Sequence, residues 1–198
     1  MIHLRTVSRL LKRCFHPQPR ENKILVLLDF DNIIINMCEG DLPPPGSFSL
    51  VAGFERLMRQ LGKIGKVVEV FVFAPLSTVN LWLDSLHTLG FRTITCPKIV
   101  TGKTGSTMEK KDIVDPVLID LGKRLISEMP GLTHLCIGSG DSDFIPLAQE
   151  AERQGLDIII VAGAGNPESL SPKLARFACR DPFGQKAIYL FSPEGEDD

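Results

Sequence analysis

Six apolar runs recur along this chain, and most are continuous rather than alternating. They are Lys23–Asp29 (KILVLLD), Lys66–Ala74 (KVVEVFVFA), Phe91–Cys96, Leu132–Ile137, Leu156–Val161 and Ala187–Phe191. A strand that is apolar at successive positions has to be covered on both faces, as the strands of parallel sheets are. Segments with apolar residues at helical spacing lie between them, at 50–61, 78–89, 115–128 and 144–154. In the first of these, Val51, Phe54, Leu57, Met58 and Leu61 mark one face. Strands alternating with helices of this length build βαβ units. The expected fold class is therefore α/β: a three-layer α/β/α sandwich around a mainly parallel, Rossmann-like sheet.

The punctuation between the runs agrees with that reading. Ser47 or Ser49 is placed to cap the helix beginning near Leu50. Asp115-Pro116 reads as an N-cap followed by proline at the first helical position, Pro130-Gly131 as the stop of that helix, and Gly155 as a C-cap. Asp41–Gly46 (DLPPPG) reads as a stiff loop, Pro97–Lys111 as a polar loop rich in Lys, Thr and Gly, and Pro172–Phe177 as a last short helix. With no internal repeat and no low-complexity linker, one domain is expected over 23–191. A basic arm (1–22) precedes it and an acidic tail (192–198) follows. The arm carries Arg5, Arg9, Lys12, Arg13 and Arg20 without an acid before residue 21. That composition suits an organelle presequence, a nucleic-acid-binding arm or a loose terminus alike.

Composition removes several classes of function. Charged residues make up 23% of the chain and the formal net charge is -2, so any polyanion has to be met by a local basic patch. Cys14, Cys38, Cys96, Cys136 and Cys179 are scattered and form no CxxC pair, which signals neither a zinc knuckle nor a redox pair. Reduced thiols in the cytoplasm are the reading. No apolar stretch approaches the roughly 20 residues needed to span a bilayer, so no membrane partner is expected.

The chemistry-bearing residues gather at strand ends. Leu25–Leu28 runs into Asp29-Phe30-Asp31-Asn32, and Leu132–Ile137 runs into Gly138-Ser139-Gly140-Asp141-Ser142-Asp143. Ligands of open α/β sheets bind beyond the carboxyl ends of the strands. Acids gathered there repel one another and persist as anions around a divalent cation, which makes a Mg²⁺- or Mn²⁺-type site the leading reading. Strand alternation sends Asp29 and Asp31 the same way if the chain stays extended, whereas a turn after Asp29 separates them. The glycines at 138 and 140 would let the backbone approach a ligand closely. Asp112 and Asp115 offer a third source of carboxylate, while Asp120 lies around the helix from Asp115, on the side of Lys123 and Arg124.

Other readings fail on spacing. The Gly102-Lys103-Thr104 triplet has Pro97 where a phosphate-binding loop needs its first glycine. No G-x-S-x-G elbow is present, and the histidines at 3, 16, 87 and 134 do not group with the acids. A dinucleotide site is unsupported because Asp29-Phe-Asp-Asn stands in place of a glycine-rich first turn.

Three stretches together resemble the NYN domain of the PIN-like nuclease superfamily: LLDFDN at Leu27–Asn32, KKDIVDPVLID at Lys110–Asp120, and IGSGDSDFIPLAQEAERQGLDIIIVAG at Ile137–Gly163. The resemblance implies metal-dependent cleavage of RNA, taken as endonucleolytic on single-stranded substrate. Asp29, Asp115, Asp141 and Asp143 would be the catalytic, Mg²⁺- or Mn²⁺-binding acids. Asn32 would position the first acid, and Asn32, Ser139, Lys110 and Lys111 would meet the RNA. Asp112 fits the middle acidic position as well as Asp115 does. The resemblance leaves monomer and homodimer open. Two alternatives remain: an inactive RNA-binding or scaffold module of the same fold, and a haloacid-dehalogenase-like phosphatase with its nucleophile in Asp29-Phe-Asp31.

Overall fold

A computed structural model describes residues 21–37, 49–104, 107–165 and 167–192, with the backbone alone for 98–104, 107–112 and 167. The expectations for the basic arm before residue 21, the loop at 41–46, Ser47 and the tail from 193 lie outside the described residues. So do those for the side chains of Lys110, Lys111 and Asp112.

Six strands form one sheet: β1 (Lys23–Asp29), β2 (Lys66–Pro75), β3 (Arg92–Cys96), β6 (His134–Gly138), β7 (Asp157–Gly163) and β8 (Ile188–Phe191). They lie in the order β3-β2-β1-β6-β7-β8, and every neighbouring pair is parallel. Five helices cover the sheet: α1 (Phe30–Met37), α2 (Leu50–Gly62), α3 (Leu76–Leu89), α4 (Val114–Glu128) and α5 (Ile145–Arg153). Ile24, Val26 and Leu28 of β1 pack with Phe30, Phe54 and Trp82 on the α1–α3 side. Leu25 and Leu27 pack with Leu118 and Leu147 on the α4–α5 side. The sheet is thus buried on both faces, which is why its strands could be continuously apolar.

The chain steps outward from β1 through β2 to β3, then returns to the other side of β1 and steps outward again from β6 to β8. The direction reverses between β1 and β6, the switch point beyond which ligands of such sheets bind. Both acid-bearing turns leave the sheet there.

Two elements depart from the sequence reading. The chain does not stay extended past Asp29, because α1 begins at the next residue and buries Phe30, Ile33, Ile34 and Met37. Pro97–Lys111, read as a loop, instead contains an antiparallel pair, β4 (Lys98–Thr104) and β5 (Thr107–Asp112), with Lys98 opposite Asp112 and Ile99 opposite Lys111. Gly105-Ser106 between them is a two-residue hairpin signal that the Lys- and Thr-rich composition obscured. A smaller correction concerns α4: its N-cap is Ile113, so Asp115 sits inside the first turn rather than ahead of it. Proline remains tolerated at 116 because first-turn N–H groups have no intrahelical partner.

Candidate active site

Asp29 ends β1 and is 6% exposed. Its register partner on β2 is Phe73, a residue of the α4–α5 core, so Asp29 continues the Leu25 and Leu27 row toward that side. Its Oδ1 accepts from the backbone N–H of Asn32 at 3.3 Å, the bond of a helix N-cap, and α1 starts immediately after it. Phe30 anchors this corner, its ring 6.2 Å from Phe54 and 6.5 Å from Trp82.

The second acidic turn repeats the design. Asp141 follows β6 with extended backbone and caps the short 3-10 turn Ser142–Phe144 that leads into α5; its Oδ1 accepts from the N–H of Asp143 at 3.1 Å and from the Ser142 hydroxyl at 3.3 Å. Asp141 is half-buried and Asp143 exposed. Ser139, expected to meet substrate, is fully buried and its Oγ accepts from Asp141 N–H at 3.2 Å. Its hydroxyl positions the turn and offers no surface to an RNA strand.

Asn32 joins the two turns. Its Oδ1 accepts from Gly140 N–H at 3.3 Å and from Asn36 Nδ2 at 3.1 Å. One side chain on α1 thus fixes the backbone on either side of the switch point. The glycines serve the same closure rather than a ligand. A Cβ on Gly138 would overlap Leu28 and come within 2.9 Å of Ile33, and one on Gly140 would overlap the backbone of Ser169. Ser171 N–H donates to Gly140 O at 2.7 Å, so the segment after β7 is strapped to the acidic turn. Sequence reasoning did not assign that strap.

Asp115 arrives by a different route. It shares a helix face with Leu118 and Gly122, three and seven residues on. Gly122 sits against Leu27 and Leu147, where a Cβ would stand 2.8 Å and 2.9 Å from their methyl carbons. That contact lays α4 against β1 two residues before Asp29, and half-buried Asp115 stands on the same face one helical stretch further up. Asp120 is not part of this group; it bonds Arg124 at 2.5 Å on the outer face, as its position predicted.

Asp31 turns away from Asp29. It lies in the first turn of α1, and its Oδ2 accepts from Thr78 Oγ1 at 3.3 Å, where α3 begins beyond β2. The two carboxylates of Asp29-Phe30-Asp31 are therefore engaged by different elements, Asp29 by the Asn32 N–H of α1 and Asp31 by Thr78 of α3.

Asp29, Asp115, Asp141 and Asp143 are hard oxygen donors of the type that Mg²⁺ and Mn²⁺ take. Each stands at or within the first turn of a helical segment, where the backbone dipole favours an anion. Among the described residues no three His, Cys, Asp or Glu side chains converge closely enough to enclose an ion. The donor set fits Mg²⁺ in its usual protein form, held by one or two carboxylates with water and substrate phosphate completing the shell, better than it fits an all-protein cage. An open groove of about 680 Å³ lies at the far end of the sheet, between Gly62, Lys66 and Gly90, away from these acids.

The fold is a parallel α/β domain in which two acid-bearing turns, each opening a helical segment, leave neighbouring strands at a topological switch point. The family model for the NYN domain matches residues 23–181, and the chain belongs to that family. NYN domains have the PIN-like nuclease fold and are generally ribonucleases. Among curated proteins none matches the chain. Among solved structures it is similar to MurG of Acinetobacter baumannii, with a TM-score of 0.42 and 14% identity over 89% of this chain; the chain spans 50% of that protein's length.

Proposed function

We propose that this chain is a ribonuclease that hydrolyses phosphodiester bonds of single-stranded RNA, with Mg²⁺ or Mn²⁺, at the crest formed by Asp29 and Asp141. The observation that supports the reading is the Asn32 bridge, which accepts from Gly140 N–H and so ties the turn after Asp29 to the turn that carries Asp141. Asp29 and Asp141 would hold the ion, with Asp115 and Asp143 orienting the attacking water from the rim. A bound divalent ion supplies there a water acidic enough to ionise and positive charge for the phosphate oxygens. In the hydrolysis, water oxygen bonds to phosphorus, the bond to the leaving ribose oxygen breaks, and that oxygen takes up a proton. Lys110 and Lys111 on β5 would meet the RNA backbone, which is sequence-independent recognition.

The test is cleavage of end-labelled single-stranded RNA with Mg²⁺ or Mn²⁺, with EDTA, and by Asp141→Asn. Metal-dependent products from the parent chain that vanish in the variant support the reading. Products that persist in the variant would move the chemistry away from this crest.

A further inference from the structure

The segment that leaves the acidic turn carries an unexplained concentration of positive charge. Ser171 is strapped to Gly140 at the crest, and the chain then runs down the α4–α5 side to an isolated bridge between Ala178 and Ile158, near the start of β7. Lys173, Arg176, Arg180 and Lys186 along this path are all exposed. None of the four forms an ion pair with an acid among the described residues.

Arg180 and Lys186 are direct antiparallel partners. Like charges opposite one another destabilise a strand pair. Each is held by a backbone carbonyl instead of a carboxylate: Arg180 Nη1 donates to Gly184 O at 2.5 Å and Lys186 Nζ to Ala175 O at 2.9 Å. The second bond ties Lys186 to the carbonyl of the residue before Arg176. Asp181, the one acid in the loop, accepts instead from the N–H groups of Phe183 and Gln185 at 2.9 Å and 2.8 Å.

Those bonds, with Asp181 N–H to Gln185 O at 2.7 Å and Gly184 N–H to Asp181 O at 2.9 Å, make the turn rigid. Gly184 has the φ of 81° that such a turn needs. At the tip Phe183 is 77% exposed. An exposed aromatic ring on a hydrogen-bonded turn, flanked by cations that form no ion pair, is how sequence-tolerant proteins hold single strands, with bases stacking and phosphates neutralised. Residues 182–187 lie beyond the stretch matched by the NYN model.

We infer that Lys173, Arg176, Arg180, Lys186 and Phe183 form a second binding site for single-stranded RNA, holding the strand as it leaves the crest. This rests on RNA being the substrate, yet it can be measured without cleavage.

The experiment is fluorescence anisotropy of a labelled oligouridine in EDTA, across a salt series, with the full chain, Phe183→Ala, Phe183→Trp and the double variant Arg180→Gln/Lys186→Gln. Unchanged melting temperatures will show that the exposed substitutions leave the fold intact. Phe183→Ala is expected to weaken binding roughly 5-fold or more, and Phe183→Trp to restore it. The double variant should flatten the slope of log K against log salt by about 1.4, at about 0.7 for each phosphate no longer neutralised. Affinity and slope that stay unchanged in both variants would overturn the inference and leave the patch to a protein partner. Absence of cleavage with these binding losses intact would instead remove the nuclease reading and keep the RNA site.

Discussion

Asp141 performs two tasks that a single substitution can separate. Its carboxylate caps the turn after β6, and its charge would serve the ion. Asparagine caps about as well as aspartate, whereas alanine does not cap at all. Asp141→Asn should therefore keep stability within about 0.5 kcal/mol and abolish cleavage. Asp141→Ala should lose cleavage and about 1 kcal/mol more, read by urea denaturation. Loss of equal stability in both would mean that charge rather than capping holds the turn. Asn32→Ala leaves the acids in place but unlocks them, so cleavage should fall roughly 10- to 100-fold as for partners behind a metal ligand. At the opposite end of the sheet, burial holds the His134 imidazole below its usual range, against the opposing pull of Asp157 at 3.8 Å. The neighbouring Thr133 hydroxyl is fully used when it donates to Lys23 O and accepts from Lys23 N–H and from His134 Nδ1–H at 2.8 Å. With the folded pKa depressed, the unfolded chain binds the proton more readily. This contribution to stability is complete above about pH 6.5 and is lost as pH falls below it. His134→Gln should flatten the acid side of the stability profile below about pH 6.5.

At the scale of elements, α4 is the part whose seating matters most. Gly122 lets it lie on Leu27, and Asp115 rides on the same face. Gly122→Ala pushes against two methyl groups that can move only a little in a full core, at a cost of about 1–3 kcal/mol. Because the displacement carries Asp115 with it, cleavage at a temperature where the variant is still folded should also drop. Unchanged activity there would remove Asp115 from the site. The elements differ in how legible they were. The six sheet strands and four helices announce themselves by apolar runs and spacing, and Ser49 caps α2 as its position suggested, accepting from Ala52 N–H at 3.2 Å. α1 did not announce itself. Asp31-Asn32 ahead of Ile33-Ile34-Ile35 has turn formers followed by β-branched residues, and only burial of Phe30, Ile33, Ile34 and Met37 against the sheet makes it helical. The turn after Asp29, one of the two courses the sequence left open, is the one that forms, and the Asp29 cap comes with it. Ser139 was legible as a residue of the turn after β6 but not as buried, since its depth depends on β6 being central in the sheet. The like-charged pair Arg180 and Lys186 was hidden because their pairing is a property of the folded loop.

For the molecule as a whole, the order of the strands decides which acid-bearing turns become neighbours. Reversal of direction between β1 and β6 puts two strand-end turns side by side, and α4 is seated on β1 through Gly122 against Leu27. The net charge of -2 does not show this distribution, in which Asp29 and Asp141 follow neighbouring strands and exposed Lys173, Arg176, Arg180 and Lys186 lie along the segment strapped to Gly140. The most direct measurement of this account is cleavage of end-labelled single-stranded RNA by the full chain and by Asp141→Asn, each with Mn²⁺ and with EDTA. The account predicts products from the full chain with Mn²⁺ alone, and none from the folded variant. Intact RNA in every lane, or equal cleavage by the variant, would contradict it.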